Sequence, residues 1–196
     1  MIDVDRVRAV VATCGPIAET PAEAYLRTRG IVMWAPRHVR YHPLLNGRPS
    51  VVFGLRNDRG HAVGAQAYHV DNRIPKATSC GAISAGIYPT SPDAPLAKVV
   101  AVTEAPIDAL SIAFATRMLA IALCGVSMRD WLRLRELGRT FFIATDNDAA
   151  GDCAAADLVA LLEPLGARYR RAFASARARM RTRCSSWMVE SRFLSE

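Results

Sequence analysis

The spacing of apolar positions changes twice along the chain. Val4, Val7, Val10 and Val11 recur at helical spacing, which predicts a helix over 3–13 that Gly15-Pro16 ends. Thr20-Pro21-Ala22-Glu23 has the form of a capping box with proline at the first helical position. It predicts a second helix through Tyr25 and Leu26, stopped at Gly30. From residue 39 the spacing shortens. Ser50 to Arg56 is rich in β-formers, Asn57-Asp58-Arg59-Gly60 signals a turn, and His61 to Val70 alternates. Together they predict a β-hairpin within a small antiparallel sheet. Ser79 to Gly86 reads as a small-residue loop. Pro89 to Pro95, with three prolines, reads as a boundary.

After Pro95 the chain alternates strand and helix. Strands are predicted at Val99 to Thr103, Leu119 to Leu123, Thr140 to Thr145 and Ala167 to Ala172. Helices are predicted at Ile107 to Arg117, Met128 to Leu137 (carrying Trp131) and Ala149 to Leu165. Short strands separated by helices imply parallel pairing with right-handed crossovers. The expected fold class is α/β: a parallel sheet flanked by helices, preceded by a small α+β lobe with an antiparallel hairpin. The expected organisation is a lobe over 1–95, a parallel domain over 96–173 and a basic, disordered tail over 174–196.

Two acidic stretches stand at strand ends: Thr103-Glu104-Ala105-Pro106-Ile107-Asp108 and Thr145-Asp146-Asn147-Asp148. In an open parallel sheet, ligands bind beyond the carboxyl ends of the strands. Asp146 and Asp148 are two residues apart, so in extended backbone both can face one side with Glu104. Hard oxygen donors of this kind suit Mg²⁺, which keeps several waters and takes one or two carboxylates plus substrate phosphate. Gly151 permits close approach at the head of the next helix, whose free N–H groups favour an anion. Asp108, four residues after Glu104, can orient a metal-bound water or cap its own helix. A calcium loop fits poorly, because its fifth and twelfth positions hold Ala150 and Asp157. An aspartyl phosphotransferase would place the Asp-x-Asp after the first strand of its domain, and it leaves Glu104 without a role.

Composition narrows the function classes. The 196 residues are 51% hydrophobic, enough for one core or two small lobes. No run of eighteen apolar residues and no secretory leader are seen, so no membrane association and a cytoplasmic location are expected. Cysteines 14, 80, 124, 153 and 184 form no Cys-x-x-Cys pair, which argues against a zinc ribbon or disulfide framework and for small buried or half-buried thiols. The net charge is +7, but residues 167–196 carry eight arginines against two glutamates. A surplus of six positive charges therefore lies in residues 167–196, and a basic patch elsewhere must come from local clusters such as Arg37, Arg40 and Arg48. The four histidines, at 38, 42, 61 and 69, lack metal-ligand spacing and read as surface or loop residues. Trp34 and Trp131 read as packing residues.

Val99-Val100-Ala101-Val102-Thr103-Glu104-Ala105-Pro106-Ile107-Asp108-Ala109-Leu110-Ser111 resembles the first motif of the Toprim domain. Phe142-Ile143-Ala144-Thr145-Asp146-Asn147-Asp148-Ala149-Ala150-Gly151 resembles its second. Pro21 to Ile31, Arg40-Tyr41-His42-Pro43 and the hairpin followed by Pro75-Lys76-Ala77 resemble the lobe that precedes Toprim in bacterial, phage and plasmid primases. The resemblance covers roughly residues 20 to 172. It implies catalytic Glu104, Asp146 and Asp148 holding Mg²⁺ (or Mn²⁺), with Asp108 and Gly151 in support and Lys76 and Arg40 toward nucleotide or nucleic acid. It implies a primase-type nucleotidyltransferase joining ribonucleotides on single-stranded DNA in replication, with a replicative helicase as partner. A non-catalytic nucleic-acid-binding or assembly module, or a Toprim nuclease, would keep the same fold.

The chain departs from the family in three ways. Ala105 stands where glycine usually follows the motif Glu. The zinc-binding module is not expected, given the cysteine pattern. The further acidic segment of the Lys-Asp-x-Asn kind is absent, since Ala174 to Trp187 hold no acid. Permitted codons for Ala176 to Met188, read two nucleotides later, spell Pro-Gly-Lys-Asp-Ala-Asn-Glu-Val-Leu-Gln-Leu-Asp. A frameshift or truncation near Phe173 is the corresponding expectation for the gene, with impaired activity as its consequence.

Overall fold

The computed structural model describes residues 4–32, 39–71, 73–124, 140–171, 173–174 and 187–188. The helix predicted at Met128 to Leu137, Trp34, Trp131, Arg37, His38 and Cys184 lie outside the described residues. Contacts divide the chain after Tyr88 into two units, with Cys124 grouped with the first.

In the first unit, helix α1 (Val4–Ala12) and helix α2 (Pro21–Thr28) accompany an antiparallel meander. Its strands, in spatial order, are β1 (Val39–Leu45), β2 (Arg48–Arg56), β3 (Ala62–His69) and β4 (Ala77–Gly81). The predicted hairpin is β2–β3, with Phe53 opposite Gln66. Thr20 is the N-cap of α2, but its hydroxyl donates to the Ile17 carbonyl and Glu23 accepts from the Glu19 N–H, so the capping box is not closed. Gly30 (φ 79°) ends the helix: its N–H donates to Arg27 O, and the Ile31 N–H donates to Leu26 O, the paired bonds of a left-handed helix stop.

Two readings of this unit are corrected. Ser79 to Gly86 is not all loop, because Ala77–Gly81 is β4, paired to β3. Small residues allow it: a Cβ on Gly64 would sit 2.9 Å from Cys80 O. His69 is not a surface residue. It is 3% exposed, and its Nδ1 lies 2.8 Å from Ser50 Oγ in the sheet. Ser50, Val51, Val52 and Phe53 are all buried, since both faces of β2 are covered. On one face Val52 packs with Leu45, Ala65, Ala67, Val10 and Cys14. On the other, Phe53 meets Tyr68 and Tyr88 edge-on at 5.8 and 5.2 Å. Burial pushes the thiols of Cys14 and Cys124 up to about 11 and about 12, whereas Cys153 is exposed, against the expectation for all five.

The second unit holds the parallel sheet. Strand β5 (Tyr88–Pro89) marks the passage into it. Then follow β6 (Val99–Thr103), α3 (Pro106–Thr116), β7 (Ala120–Ala122), β8 (Thr140–Ile143), α4 (Ala149–Leu162) and β9 (Arg168–Arg171). The sheet order is β5-β7-β6-β8-β9, and β6 pairs in parallel with both β7 and β8. Pro164 explains why α4 gives way to a 3-10 turn over Glu163–Leu165. Strand β10 (Phe173–Ala174) pairs antiparallel with β11 (Trp187–Met188).

The two ionisable groups beside the β2–β3 ladder give a pH expectation. The Arg48 and Arg73 guanidinium groups hold the Asp71 carboxyl well below the usual carboxylate range. Its contribution is complete above the unfolded value of about 3.9 and fades as pH falls toward the folded one. Burial, reinforced by Arg48 and opposed by Asp71, lowers His69. The unfolded chain therefore takes up that proton first, and stability falls as pH drops below about 6.5. Urea midpoints are expected to decline in both windows. Asp71→Asn should flatten the lower window and His69→Gln the upper one.

Candidate functional site

The site is built where two adjacent parallel strands end. Val99 is paired with Thr140 and Val102 with Ile143, so Glu104 after β6 and Asp146 after β8 emerge side by side. Both strands end on a buried residue, Thr103 and Ile143. Glu104 Oε1 accepts a long hydrogen bond, 3.4 Å, from the Asp146 N–H. The carboxylate thereby lies against the backbone of the Asp-x-Asp segment. Glu104 is half-buried; Asp146 and Asp148 are exposed.

Asp148 is the N-cap of α4, and its Oδ1 accepts from the Gly151 N–H at 2.9 Å. This modifies the anion reading of the helix start, because a carboxylate of the chain already takes one of the free N–H groups. Gly151 is buried against the loop: a Cβ there would fall 1.9 Å from the Asp146 carbonyl oxygen and 2.7 Å from its carbon. The residue is required by space, not by φ. Asp108 sits in the first turn of α3, whose N-cap is Ala105. It is not the cap, but its charge suits the positive helix end. Asp152, in the first turn of α4, is ion-paired with Arg171 of β9 at 2.5 Å.

Two buried threonines complete the framework, and neither had a role in the sequence reading. The Thr103 hydroxyl donates to Ala105 O at 3.0 Å, fastening the turn that carries Glu104. The Thr145 hydroxyl donates to Gly151 O at 2.8 Å, fastening the loop that carries Asp146 and Asp148. The available signal was that a threonine immediately precedes the first acid in both stretches. A buried hydroxyl needs a partner, and here the partner is the loop itself.

The three carboxylates are thus on neighbouring segments, with Glu104 touching the backbone N–H of Asp146. Among the described residues, no group of three or more His, Cys, Asp or Glu side chains is gathered closely enough to hold a metal ion. The donor set is nevertheless all hard oxygen and mostly exposed, which fits a cation that retains water and needs only one or two protein carboxylates. Lys76 and Arg40 belong to the first unit. Lys76 is exposed just before β4, and its carbonyl accepts from the His69 N–H. Arg40 is exposed on β1, opposite Val52. No helix among the described residues is long and apolar enough to cross a membrane.

Comparison with known proteins gives the fold a name. Residues 101–177 match the Toprim-like family, and residues 3–79 match a domain of unknown function (DUF7146). No curated protein matches the chain. Among solved structures, the DnaG primase catalytic domain bound to ssDNA is similar at 21% identity and a TM-score of 0.53, covering 76% of this chain and 50% of that one. The E. coli primase catalytic core gives 21% and 0.51, covering 78% and 52%. The primase fragment of the bacteriophage T7 primase-helicase gives 17% and 0.50, covering 67% and 56%. The chain spans about half the length of these structures. Residues 101–177 thus match the Toprim-like family, and the fold is one that the primase catalytic cores share.

Proposed function

We propose that the protein joins ribonucleotides on single-stranded DNA in a Mg²⁺-dependent nucleotidyl transfer, with Glu104, Asp146 and Asp148 as the catalytic acids. The observation that carries this reading is the Glu104 carboxylate resting 3.4 Å from the Asp146 N–H at the ends of adjacent strands. Asp146 and the free oxygen of Asp148 would hold the cation, with Glu104 beside them. A bound Mg²⁺ would orient the nucleotide phosphates and screen their charge. Glu104, half-buried and fastened to the neighbouring loop, is the carboxylate placed to take a proton from an attacking hydroxyl. Gly151 and the two threonine tethers keep the acids in place. Lys76 and Arg40 would contact phosphate as cations.

One observation favours a second reading, a nucleic-acid-binding module that keeps the fold: Ala174 to Trp187 contain no acid. Primer synthesis on single-stranded DNA with Mg²⁺ titrated in separates the two. The expected result is metal-dependent product that Glu104→Gln lowers by about a hundredfold. Product that Glu104→Gln leaves unchanged removes the catalytic assignment. DNA binding without any product supports the module, and metal-dependent nicking in place of synthesis identifies a nuclease.

A further inference from the structure

The exposed tip before β4 is held by one half-buried arginine. Arg48 Nε donates to both Asp71 oxygens at 3.1 and 3.0 Å, and its Nη2 also bonds Asp71 Oδ1. Arg48 Nη1 donates to Pro75 O at 2.7 Å and Nη2 to Arg73 O at 2.6 Å. The Arg48 side chain is only 11% exposed. Its planar fork therefore spends its donors on the Asp71 carboxylate and the Arg73 and Pro75 carbonyls of one short stretch of chain, a geometry that lysine cannot reproduce. Asp71 is shared with Arg73, whose Nε donates to Oδ2 at 2.7 Å while the Arg73 side chain stays 69% exposed.

The grip has a consequence for the surface. Ile74 is 88% exposed, and it stands between Arg73 and the exposed Lys76. Asp71 cancels one of the three arginine and lysine charges gathered here, leaving Arg48, Arg73 and Lys76 against one carboxylate, a surplus of two. An apolar side chain flanked by two exposed cations on a preorganised backbone suits a strand that offers phosphates and base faces together. We propose that Arg48 is a positioning residue that presents Arg73, Ile74 and Lys76 to a single-stranded nucleic acid. The inference rests on the reading of Lys76 as a nucleic-acid contact, and it adds Arg73 and Ile74 to that contact.

Binding of a fluorescein-labelled oligothymidylate to the full chain, in EDTA and across a salt series, tests it. Arg48→Gln and Lys76→Ala are each expected to weaken binding about fivefold, and Lys76→Ala to make the slope of log K against log salt shallower by about 0.7. Because part of the Arg48 effect passes through Lys76, the double variant should lose clearly less than the product of the two single losses. Arg48→Lys keeps the charge but not the fork, so its affinity should stay low. Full affinity in Arg48→Lys, or losses that simply add in the double variant, overturn the proposal. If Arg48→Gln does not fold, Ile74→Ser at the exposed tip still decides: unchanged affinity there overturns it. A chain that binds polyglutamate and ignores the oligonucleotide overturns it too. Oligonucleotide binding that follows this pattern without primer synthesis would remove the catalytic reading and leave this one standing.

Discussion

Gly151→Ala is expected to destabilise the second unit by about 3 kcal/mol and to abolish nucleotidyl transfer. The added methyl would lie 1.9 Å from Asp146 O and 2.8 Å from Asp146 N, so either the first turn of α4 or the Asp146 backbone must move. Neither is free to do so cheaply. The Thr145 hydroxyl is bonded to Gly151 O, and Asp148 is bonded to the Gly151 N–H. The Ala144 N–H is tied to Val102 O in the sheet. Displacing the loop also removes the Asp146 N–H from Glu104, so stability and the site should fail together. Denaturant unfolding and primer synthesis on the same preparation check this. An alanine variant with a wild-type midpoint and wild-type product would show that the contact is not tight.

Phe53→Ala is expected to destabilise the first unit by about 4 kcal/mol. Phe53 is fully buried at the centre of the sheet, on the face opposite α1. Truncation removes its own transfer free energy, leaves a cavity and breaks both edge-to-face ring contacts, with Tyr68 and Tyr88. Phe53→Leu, which keeps most of the volume, should cost about 1.5 kcal/mol. Chemical unfolding of the three proteins measures the difference. Equal midpoints for Ala and Leu would mean that the ring is not what fills this core.

Both variants bear on how far the fold was legible in the residues. The parallel unit was readable because its strands are continuous apolar runs, and because Pro106 and Asp148 mark where its helices begin. The hairpin was readable from Asn57 to Gly60. Strand β1 was passed over, although Asn46-Gly47 announces its turn: both residues take positive φ, 51° and 75°, and close Leu45 onto Arg48. Strand β4 was hidden because glycine and alanine there carry no β signal; they serve close approach of the backbone, which only the neighbouring strand reveals. His69 could not be distinguished from a surface histidine, since its burial depends on Ser50 across the ladder. The acids of the site were readable as residues and as strand ends. Their mutual geometry was not, because the Glu104–Asp146 contact spans 42 positions and depends on β6 lying beside β8.

Titration of the protein with Mn²⁺, followed by the loss of the free-ion paramagnetic resonance signal, tests most directly whether these acids serve one hard cation. The expected result is one bound ion per wild-type chain, displaced by Mg²⁺ and lost in Glu104→Gln and in Asp146→Asn, with both variants folded. Undiminished binding in both variants, or no binding in the wild type, would contradict a shared metal site at the ends of β6 and β8.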